Sequence, residues 1–226
     1  MPQRLPPVPA ADRRSLEPLR PAIEATLGGF VPNSLYVMAH NPDLLIGFGA
    51  LSRGVFRGSP RTRIGGVAAL RAAARQIWRA WRLRRDPPLE EGLRALIFLA
   101  ASLSAGCRYC QAHSVTQAQD RGIGQEKIDD ILRFDTSPHF TAAERAALAV
   151  AFAANEVPGA VTEAQFAALR AEFTAQQIVD IVAAIAYIAF LNRWNDTFAT
   201  VLEDRPAGLA AQALAPRGWE IGAHGA

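Results

Sequence analysis

Three stretches of this sequence begin with the same helix-start signal, which constrains the fold more than any other feature. The segments TAAE, TEAQ and TAQQ begin at Thr141, Thr162 and Thr174, and each places a threonine three residues before a glutamate or glutamine. In such a capping box the threonine oxygen accepts a hydrogen bond from a free amide of the first turn, and the acid or amide side chain reaches back to the threonine amide. We therefore predict a helix start at each of these points.

The rest of the chain follows helical rather than strand periodicity. Alanine, leucine and glutamine are abundant, apolar residues recur three and four positions apart, and no long run alternates apolar with polar residues. Glycine and proline separate the helical stretches. Upstream of the three caps these stretches cover about 15–27, 34–39, 42–55, 63–84 and 89–103. The sequence predicts an all-α fold.

Length and composition favour one folded domain over 1–226. The chain has 226 residues, half of them hydrophobic, which suffices for one sizeable core, and no linker marks a boundary. The segment 206–226 is rich in alanine, glycine and proline, so we predict a loosely held tail. Two cysteines cannot build a secreted disulfide scaffold and the start resembles no signal peptide, so we expect a cytoplasmic location.

One apolar run, from Ile181 to Leu191, raises the question of a membrane span. A spanning helix needs about 20 apolar residues, and this run is shorter. We predict that it belongs to a buried helix in the core of a bundle.

The stretch SAGCRYCQAHSV holds both cysteines of the chain and one of its four histidines. Gly106 breaks one helix, and a new helix is predicted to begin with Cys107 in its first turn, where the helix dipole favours a thiolate. Cys110 lies three residues on, on the same face and within reach of a disulfide, and His113 flanks it as a candidate base. These are the parts that dithiol redox chemistry requires.

Two other interpretations of the cysteines stay open. The pair could be half of a zinc site, but a closed structural site needs four ligands and the other histidines, His40, His139 and His224, are far away in sequence. The two cysteines could also be small buried residues of a helix. We prefer the redox dithiol and expect neither a metal nor a cofactor.

The segment LRALIFLAASLSAGCRYCQAHSVTQAQDRGI resembles the core of the carboxymuconolactone decarboxylase and alkyl hydroperoxidase D (AhpD-like) superfamily. The shared pattern is an apolar helix, a small-residue break, Cys-x-Tyr-Cys, a histidine and an alanine-rich helix that ends at glycine. The likeness extends over about 28–202, apart from one segment. The resemblance implies an AhpD-like helical bundle that assembles into homo-oligomers.

For members with the dithiol, the resemblance also implies hydroperoxide reduction through a disulfide. It implies that Cys110 attacks the peroxide and Cys107 resolves the product, whereas the dipole argument favours Cys107 as the thiolate. Deprotonation of Cys110 by a neighbouring base would reconcile the two. The family histidine stands four residues after the second cysteine, where this chain has Ser114, so His113 would approach the sulfur from the other flank of the helix.

The glutamate that completes the proton relay of the family has no direct counterpart. Ala95 occupies its position, and Glu91 lies one turn earlier on the same face. Glu91 is the candidate substitute, acting through a water molecule. The alternative is a solvated carboxylate that favours the dipole of the first turn.

The segment that interrupts the resemblance, about 58–87, is predicted to be an inserted basic helix. Between Ser52 and Arg85 there are ten arginines and no acidic residue, so this part carries +10 and the remainder −7. The preferred interpretation is a solvated outer helix that pairs with acidic residues of the same protein or of a sister subunit. Contact with an anionic membrane is the alternative, as is a cap over the dithiol or a dock for a reductant. No nucleic acid is expected, because no binding motif is present.

The sequence therefore predicts a thiol-dependent oxidoreductase of the alkylhydroperoxidase type, with Cys107, Cys110, His113 and Glu91 as its catalytic residues. Its partners would be a small hydroperoxide or organic substrate, a thiol reductant of unknown identity and further copies of the chain. One alternative is a carboxymuconolactone decarboxylase-like lyase acting on a small organic acid. The other is a non-enzymatic, oligomeric redox-sensing protein, which Ala95 at the glutamate position favours.

Overall fold

The computed structural model describes residues 5–9, 20, 24, 31, 33–55 and 86–225. The chain divides into two compact units, Met1–Pro87 and Pro88–Ala226, and each is considered by itself. One domain over 1–226 stays a prediction. The predicted basic helix of the insertion and most of the predicted helix at 15–27 lie outside the described residues.

The described part of the first unit contains two helices. Helix α1 is Asn33–Met38 and helix α2 is Pro42–Val55. The Asn41 side-chain oxygen accepts a hydrogen bond from the Leu44 amide at 3.2 Å, which satisfies a free donor at the start of α2. A small apolar cluster joins these elements and comprises Val8, Leu35, Ala39 and Leu45.

The second unit contains the other helices of the described residues. These are α3 (Glu91–Ala105), α4 (Arg108–Asp120), α5 (Gln125–Asp129), α6 (Ala142–Ala154), α7 (Glu163–Glu172), α8 (Ala175–Phe198) and α9 (Asp204–Leu214). Short 3₁₀ turns occupy Ile131–Arg133, Ala215–Arg217 and Gly222–His224. The described residues contain no strand, and the predicted all-α fold is confirmed.

All three predicted capping boxes form, and they begin α6, α7 and α8. In each, the threonine hydroxyl oxygen accepts the backbone N–H three residues on, at 3.1 to 3.3 Å. The glutamate or glutamine oxygen there accepts the N–H of the threonine, at 2.8 to 3.1 Å. Because a cap of this kind contributes about 1 kcal/mol, local sequence largely fixes where these helices begin.

Helix α3 is the centre of the second unit and packs against α4, α6 and α8. Leu96, Ile97 and Leu99 have no exposed surface. Truncation of such a side chain to alanine costs about 2–5 kcal/mol, because a cavity remains where it packed. The end of α3 is therefore held rigidly, and the two cysteines follow directly after it.

Helix α8 is longer than the apolar run that predicted it. It has 24 residues and, among the described helices, is long and apolar enough by length and composition to cross a membrane, with 44% of its apolar window buried. The length argument made from Ile181–Leu191 therefore fails for the whole helix. One face packs on α3 and α4. The other face exposes five apolar side chains: Val182, Tyr187, Phe190, Trp194 and Phe198.

The predicted loose tail at 206–226 is wrong over most of its length. Residues 204–214 form α9, which packs against α4 and buries Ala210, Ala213 and Leu214. Pro206 does not break α9 because it lies in the first turn, where an amide has no helical partner to lose. Further on, Trp219 and His224 are also buried. A segment rich in alanine, glycine and proline thus forms a helix whose small apolar residues, at helical spacing, pack against α4.

Candidate functional site

The turn between α3 and α4 places both cysteines at the start of α4. Gly106 ends α3 with φ at +79°, a left-handed conformation that favours glycine, and its amide donates to the carbonyls of Ser102 and Leu103. Cys107 follows as the N-cap of α4, and its Sγ accepts a hydrogen bond from the Cys110 amide at 3.4 Å. The sulfur therefore takes the position that a serine or aspartate oxygen occupies in most N-caps.

The two cysteines are free thiols and both are buried. The Asn195 side-chain amide, from α8, donates to Cys110 Sγ at 3.5 Å. The apolar side of the pair is formed by Ala101 and Ile188, with Phe98, Tyr109 and Leu191 packed around them. The thiols thus lie in a largely dry site where each remaining polar contact has a large effect.

The two thiols have opposite pKa shifts. The hydrogen bond to Cys110 and burial raise the pKa of Cys107 above the ordinary cysteine value. Hydrogen bonds from the Cys107 thiol and from the Asn195 amide lower the pKa of Cys110 and outweigh its burial. Cys110 is therefore the more acidic of the two thiols, and the Cys107 thiol donates to its sulfur when Cys110 ionises.

This polarity corrects the prediction made from the helix dipole, which favoured Cys107 as the thiolate. Cys107 is the N-cap rather than a first-turn residue, it is fully buried, and a carboxylate of Asp196 lies close enough to accept its proton. These contacts outweigh the dipole. Cys110, the thiol with the lowered pKa, is also the residue to which the family resemblance assigns the attack on the peroxide.

His113 contacts a carboxylate that the sequence analysis did not identify. Its Nε2 lies 2.9 Å from Glu203 Oε2, so Nε2 carries the hydrogen and donates it. The Tyr109 hydroxyl donates to the other Glu203 oxygen at 3.2 Å, and the Tyr109 and His113 rings are 4.5 Å apart. Burial and the Glu203 charge raise the pKa of Tyr109. The backbone amide of Glu203 and its contacts with His113 and Tyr109 lower the pKa of the Glu203 carboxyl.

No hydrogen bond joins His113 to either cysteine among the described residues. Its role as the base for Cys110 stays a prediction. Ser114, at the position of the family histidine, is buried, and its hydroxyl has no hydrogen-bond partner in the described part of the chain.

Glu91 lies on the surface rather than with the cysteines. Its side chain is 70% exposed, and Oε2 lies 3.4 Å from Arg121 Nε. This exposure matches the alternative interpretation of Glu91, which was a solvated carboxylate in the first turn of the helix. The carboxylate also pairs with a neighbouring cation. A catalytic role for Glu91 stays a prediction, and Glu203 is the carboxylate that contacts the histidine.

A second histidine, distant in sequence, lies beside Cys107. His224 is buried, its Nε2 is 3.2 Å from Asp196 Oδ1, and its ring lies 5.7 Å from that of Tyr109. Ligand atoms of Cys107, Asp196 and His224 all lie within 4.8 Å of one another, so these three residues could hold a metal ion. The sequence analysis argued against a metal because His40, His139 and His224 are far from the cysteines in sequence. In the fold, His224 nevertheless lies beside Cys107.

The residues that sequence reasoning missed come from the end of α8 and from the chain after it. Asn195, Asp196, Glu203 and His224 follow Cys110 by 85 or more positions, so no local pattern connects them with the dithiol. One signal was present. Asn192, Asn195 and Asp196 interrupt an apolar helix at three- and four-residue steps, which places them on one face. Burial of Asn192 and Asn195 shows that this face points inward.

The family model of the carboxymuconolactone decarboxylase family matches residues 68–153, a range that contains both cysteines and His113. The uncharacterized protein YnjA of Escherichia coli (strain K12) is 28% identical over 115 residues. That match covers 51% of this chain and 63% of YnjA, so the chain spans less than two thirds of the length of that relative.

Solved structures extend the likeness over most of the chain. The debrominase Bmp8 in its apo form is 28% identical, with a TM-score of 0.54, over 92% of this chain and 97% of Bmp8. A cysteine-to-alanine variant of Bmp8 in complex with 2,3,4-tribromopyrrole gives the same identity and TM-score over 94% and 98%.

A protein of unknown function from Agrobacterium tumefaciens, described as a candidate AhpD antioxidant defence protein, is 30% identical over 51% of this chain and 80% of its own, with a TM-score of 0.49. The family match lies over the dithiol itself, and the likeness to Bmp8 extends over both units. This chain belongs to the carboxymuconolactone decarboxylase and AhpD-like superfamily.

Proposed function

We propose that this protein is a dithiol-dependent oxidoreductase that transfers two electrons from Cys107 and Cys110 to a small electrophile, with a hydroperoxide as the first candidate substrate. The observation that carries the proposal is the polarised thiol pair at the start of α4. Cys110, a buried thiol with a lowered pKa, lies three residues from Cys107, a hydrogen-bonded thiol with a raised pKa. This combination provides both an attacking and a resolving sulfur.

The reaction balances with these two residues and one external reductant. The Cys110 thiolate attacks the outer peroxide oxygen, the O–O bond breaks, and the alkoxide takes a proton and leaves as an alcohol. Cys107 then attacks the sulfur of the Cys110 sulfenic acid, hydroxide leaves with the Cys107 proton as water, and a disulfide forms. A thiol reductant returns both cysteines to their starting state.

Glu203 is the proposed substitute for the family glutamate. By accepting the Nε2 hydrogen of His113, it leaves Nδ1 with the lone pair and stabilises the ring when a proton arrives. His113 lies one turn after Cys110 on the same helix, and a water molecule between them would complete the path. Tyr109 holds the other carboxylate oxygen and so fixes the orientation of Glu203.

A halogenated aromatic ring is the second candidate electrophile. The specific observation is the likeness to the debrominase Bmp8 and to its variant bound to 2,3,4-tribromopyrrole, at 28% identity over more than nine-tenths of both chains. Reductive debromination uses the same electron pair: the carbon–bromine bond gives way to a carbon–hydrogen bond, bromide leaves, and the two thiols become a disulfide. The dithiol needs no change for this chemistry.

The test compares substrates and single-cysteine variants. The reduced protein is mixed with cumene hydroperoxide or with 2,3,4-tribromopyrrole, and thiol loss, product and turnover with dithiothreitol are followed. We expect the wild type to turn over at least one of the two substrates and Cys110→Ser to lose all turnover. Cys107→Ser should react once with the peroxide and keep a sulfenic acid on Cys110 that can be trapped. Thiol oxidation without turnover would indicate a redox sensor. Decarboxylation of a muconolactone by both serine variants would indicate the lyase and overturn the proposal.

A further inference from the structure

Three potential ligand atoms from separate parts of the second unit converge beside the dithiol. Cys107 is the N-cap of α4, Asp196 lies near the end of α8, and His224 ends the 3₁₀ turn Gly222–His224. The sulfur, a carboxylate oxygen and an imidazole nitrogen all lie within 4.8 Å of one another. Cys107 and His224 are buried, and the Asp196 side chain is 46% exposed, so the cluster is reachable from solvent through Asp196.

Both ring nitrogens of His224 face acceptor oxygens. Its Nδ1 lies 2.8 Å from the Thr200 carbonyl oxygen, which can only accept, so Nδ1 carries a hydrogen. The opposite nitrogen, Nε2, lies 3.2 Å from Asp196 Oδ1. Either a proton on Nε2 or a metal ion between the nitrogen and the carboxylate makes this contact favourable, and the metal ion would also use the nearby Cys107 sulfur.

The backbone around His224 holds this orientation. The Leu202 amide donates to the His224 carbonyl at 2.9 Å. This bond holds the segment that carries His224 against the residues that directly follow α8. A histidine that donates one ring N–H to a backbone carbonyl and aims the other nitrogen at a cluster of ligands has the outer contact typical of a metal-ligating histidine.

We propose that Cys107, Asp196 and His224 form a binding site for a thiophilic divalent cation of the Zn²⁺ class. One sulfur, one nitrogen and one oxygen suit such a borderline ion, and three protein ligands leave the fourth tetrahedral position open to water. Binding releases the Cys107 proton, and the thiolate and the carboxylate together balance the two positive charges. The site stands on its own geometry and does not depend on the substrate proposed above.

Occupancy of this site and disulfide formation exclude each other, because Cys107 cannot ligate the ion while it is bonded to Cys110. The ion would therefore hold the dithiol in its reduced, inactive form until it is removed. Under the proposed function this makes the site an off-switch for the oxidoreductase.

The test is an anaerobic titration of the reduced full-length protein with Co²⁺, which reports a thiolate ligand through its charge-transfer absorption. We expect one equivalent of Co²⁺ per chain and competition by Zn²⁺. Affinity should fall by at least about tenfold in His224→Gln and in Asp196→Asn, and the band should vanish in Cys107→Ser. Asp196→Asn serves as the second variant should the buried His224→Gln fail to fold. His139→Gln is the matched control: it removes a histidine that lies 3.8 Å from a carboxylate of Asp130, with no sulfur ligand, and should change nothing.

Cys110→Ser separates this proposal from the proposed function. That variant keeps all three ligands, so it should still bind Co²⁺ although it cannot form the disulfide. Loss of binding in Cys110→Ser would mean that the ion is chelated by the dithiol, and the site would be wrong. The proposal also fails if no thiolate band develops, which would mean that a proton occupies the position, or if Asp196→Asn and His224→Gln fold and bind as the wild type does.

Discussion

The side-chain amide of Asn195 offers a quantitative test of how the fold sets the reactivity of Cys110. It donates to Cys110 Sγ at 3.5 Å, and both residues are buried, so water cannot easily replace the bond. The substitution Asn195→Leu removes the donor and keeps a side chain of similar shape. We expect the Cys110 thiolate to lose stability relative to the thiol.

The magnitude follows from the charge on the acceptor. A hydrogen bond to a charged group contributes about 1.5–3 kcal/mol, and the lower end applies here because sulfur is a weak acceptor. Since one pKa unit corresponds to about 1.4 kcal/mol, the pKa of Cys110 should rise by about one unit. Below that pKa the thiolate fraction, and with it the rate of alkylation, should fall about tenfold, and the two rates should converge at high pH.

The assay is alkylation by iodoacetamide across pH, with modification of Cys110 followed by peptide mass spectrometry. Asn192→Leu is the matched control, because Asn192 is buried one turn earlier on α8 and accepts from the Ser102 hydroxyl at 3.2 Å instead of contacting sulfur. A folded Asn195→Leu protein with an unchanged Cys110 pKa would refute the reasoning. So would an equal shift in Asn192→Leu.

Two further predictions concern the turn and the relay. Gly106→Ala should lower the free energy of unfolding by about 1–2 kcal/mol, because φ is +79° there and no atom lies within 4 Å of the added carbon, so the cost is conformational. Gly208 lies in the interior of α9 and also has no atom within 4 Å of an added carbon, so Gly208→Ala should raise the free energy of unfolding by about 0.5–1 kcal/mol. Urea unfolding measures both variants, and a change of the same sign in the two would contradict the conformational explanation. Glu203→Gln should slow peroxide-dependent turnover and Glu91→Gln should leave it unchanged, because Glu203 contacts His113 while Glu91 pairs with Arg121 on the surface. Stopped-flow measurement of turnover decides between the two carboxylates, and the reverse order would restore Glu91 to the mechanism.

Local signals in the sequence predicted the architecture well, and their physical basis explains why. Capping boxes, glycine breaks and helical spacing act within a few residues, and the starts of α6, α7 and α8 follow from them directly. The same holds for the dithiol, because Cys107 and Cys110 lie one turn apart in any helix that begins there.

The rest of the site depends on contacts between distant segments. Asn195 and His224 reach the cysteines only because α8 packs on α4 and the chain then returns along it, and no local rule encodes that path. The prediction for the segment 206–226 was wrong because it used composition, and a high content of alanine, glycine and proline suggests a loose tail. The helical spacing of Ala210, Ala213 and Leu214 indicates a packed face instead. The role of the Arg-rich insertion, assembly into homo-oligomers and the cellular location stay predictions.

The contacts around the reduced sulfurs also bear on which reductants can recycle the protein. The Asn195 amide donates to Cys110 Sγ in the dithiol state, and a disulfide is a poorer acceptor than a thiolate. Each 1.4 kcal/mol by which this bond favours the dithiol raises the reduction potential of the couple by about 30 mV. Under the proposed function, this contact therefore makes the disulfide easier to reduce, and a weaker thiol donor suffices than would be needed without it.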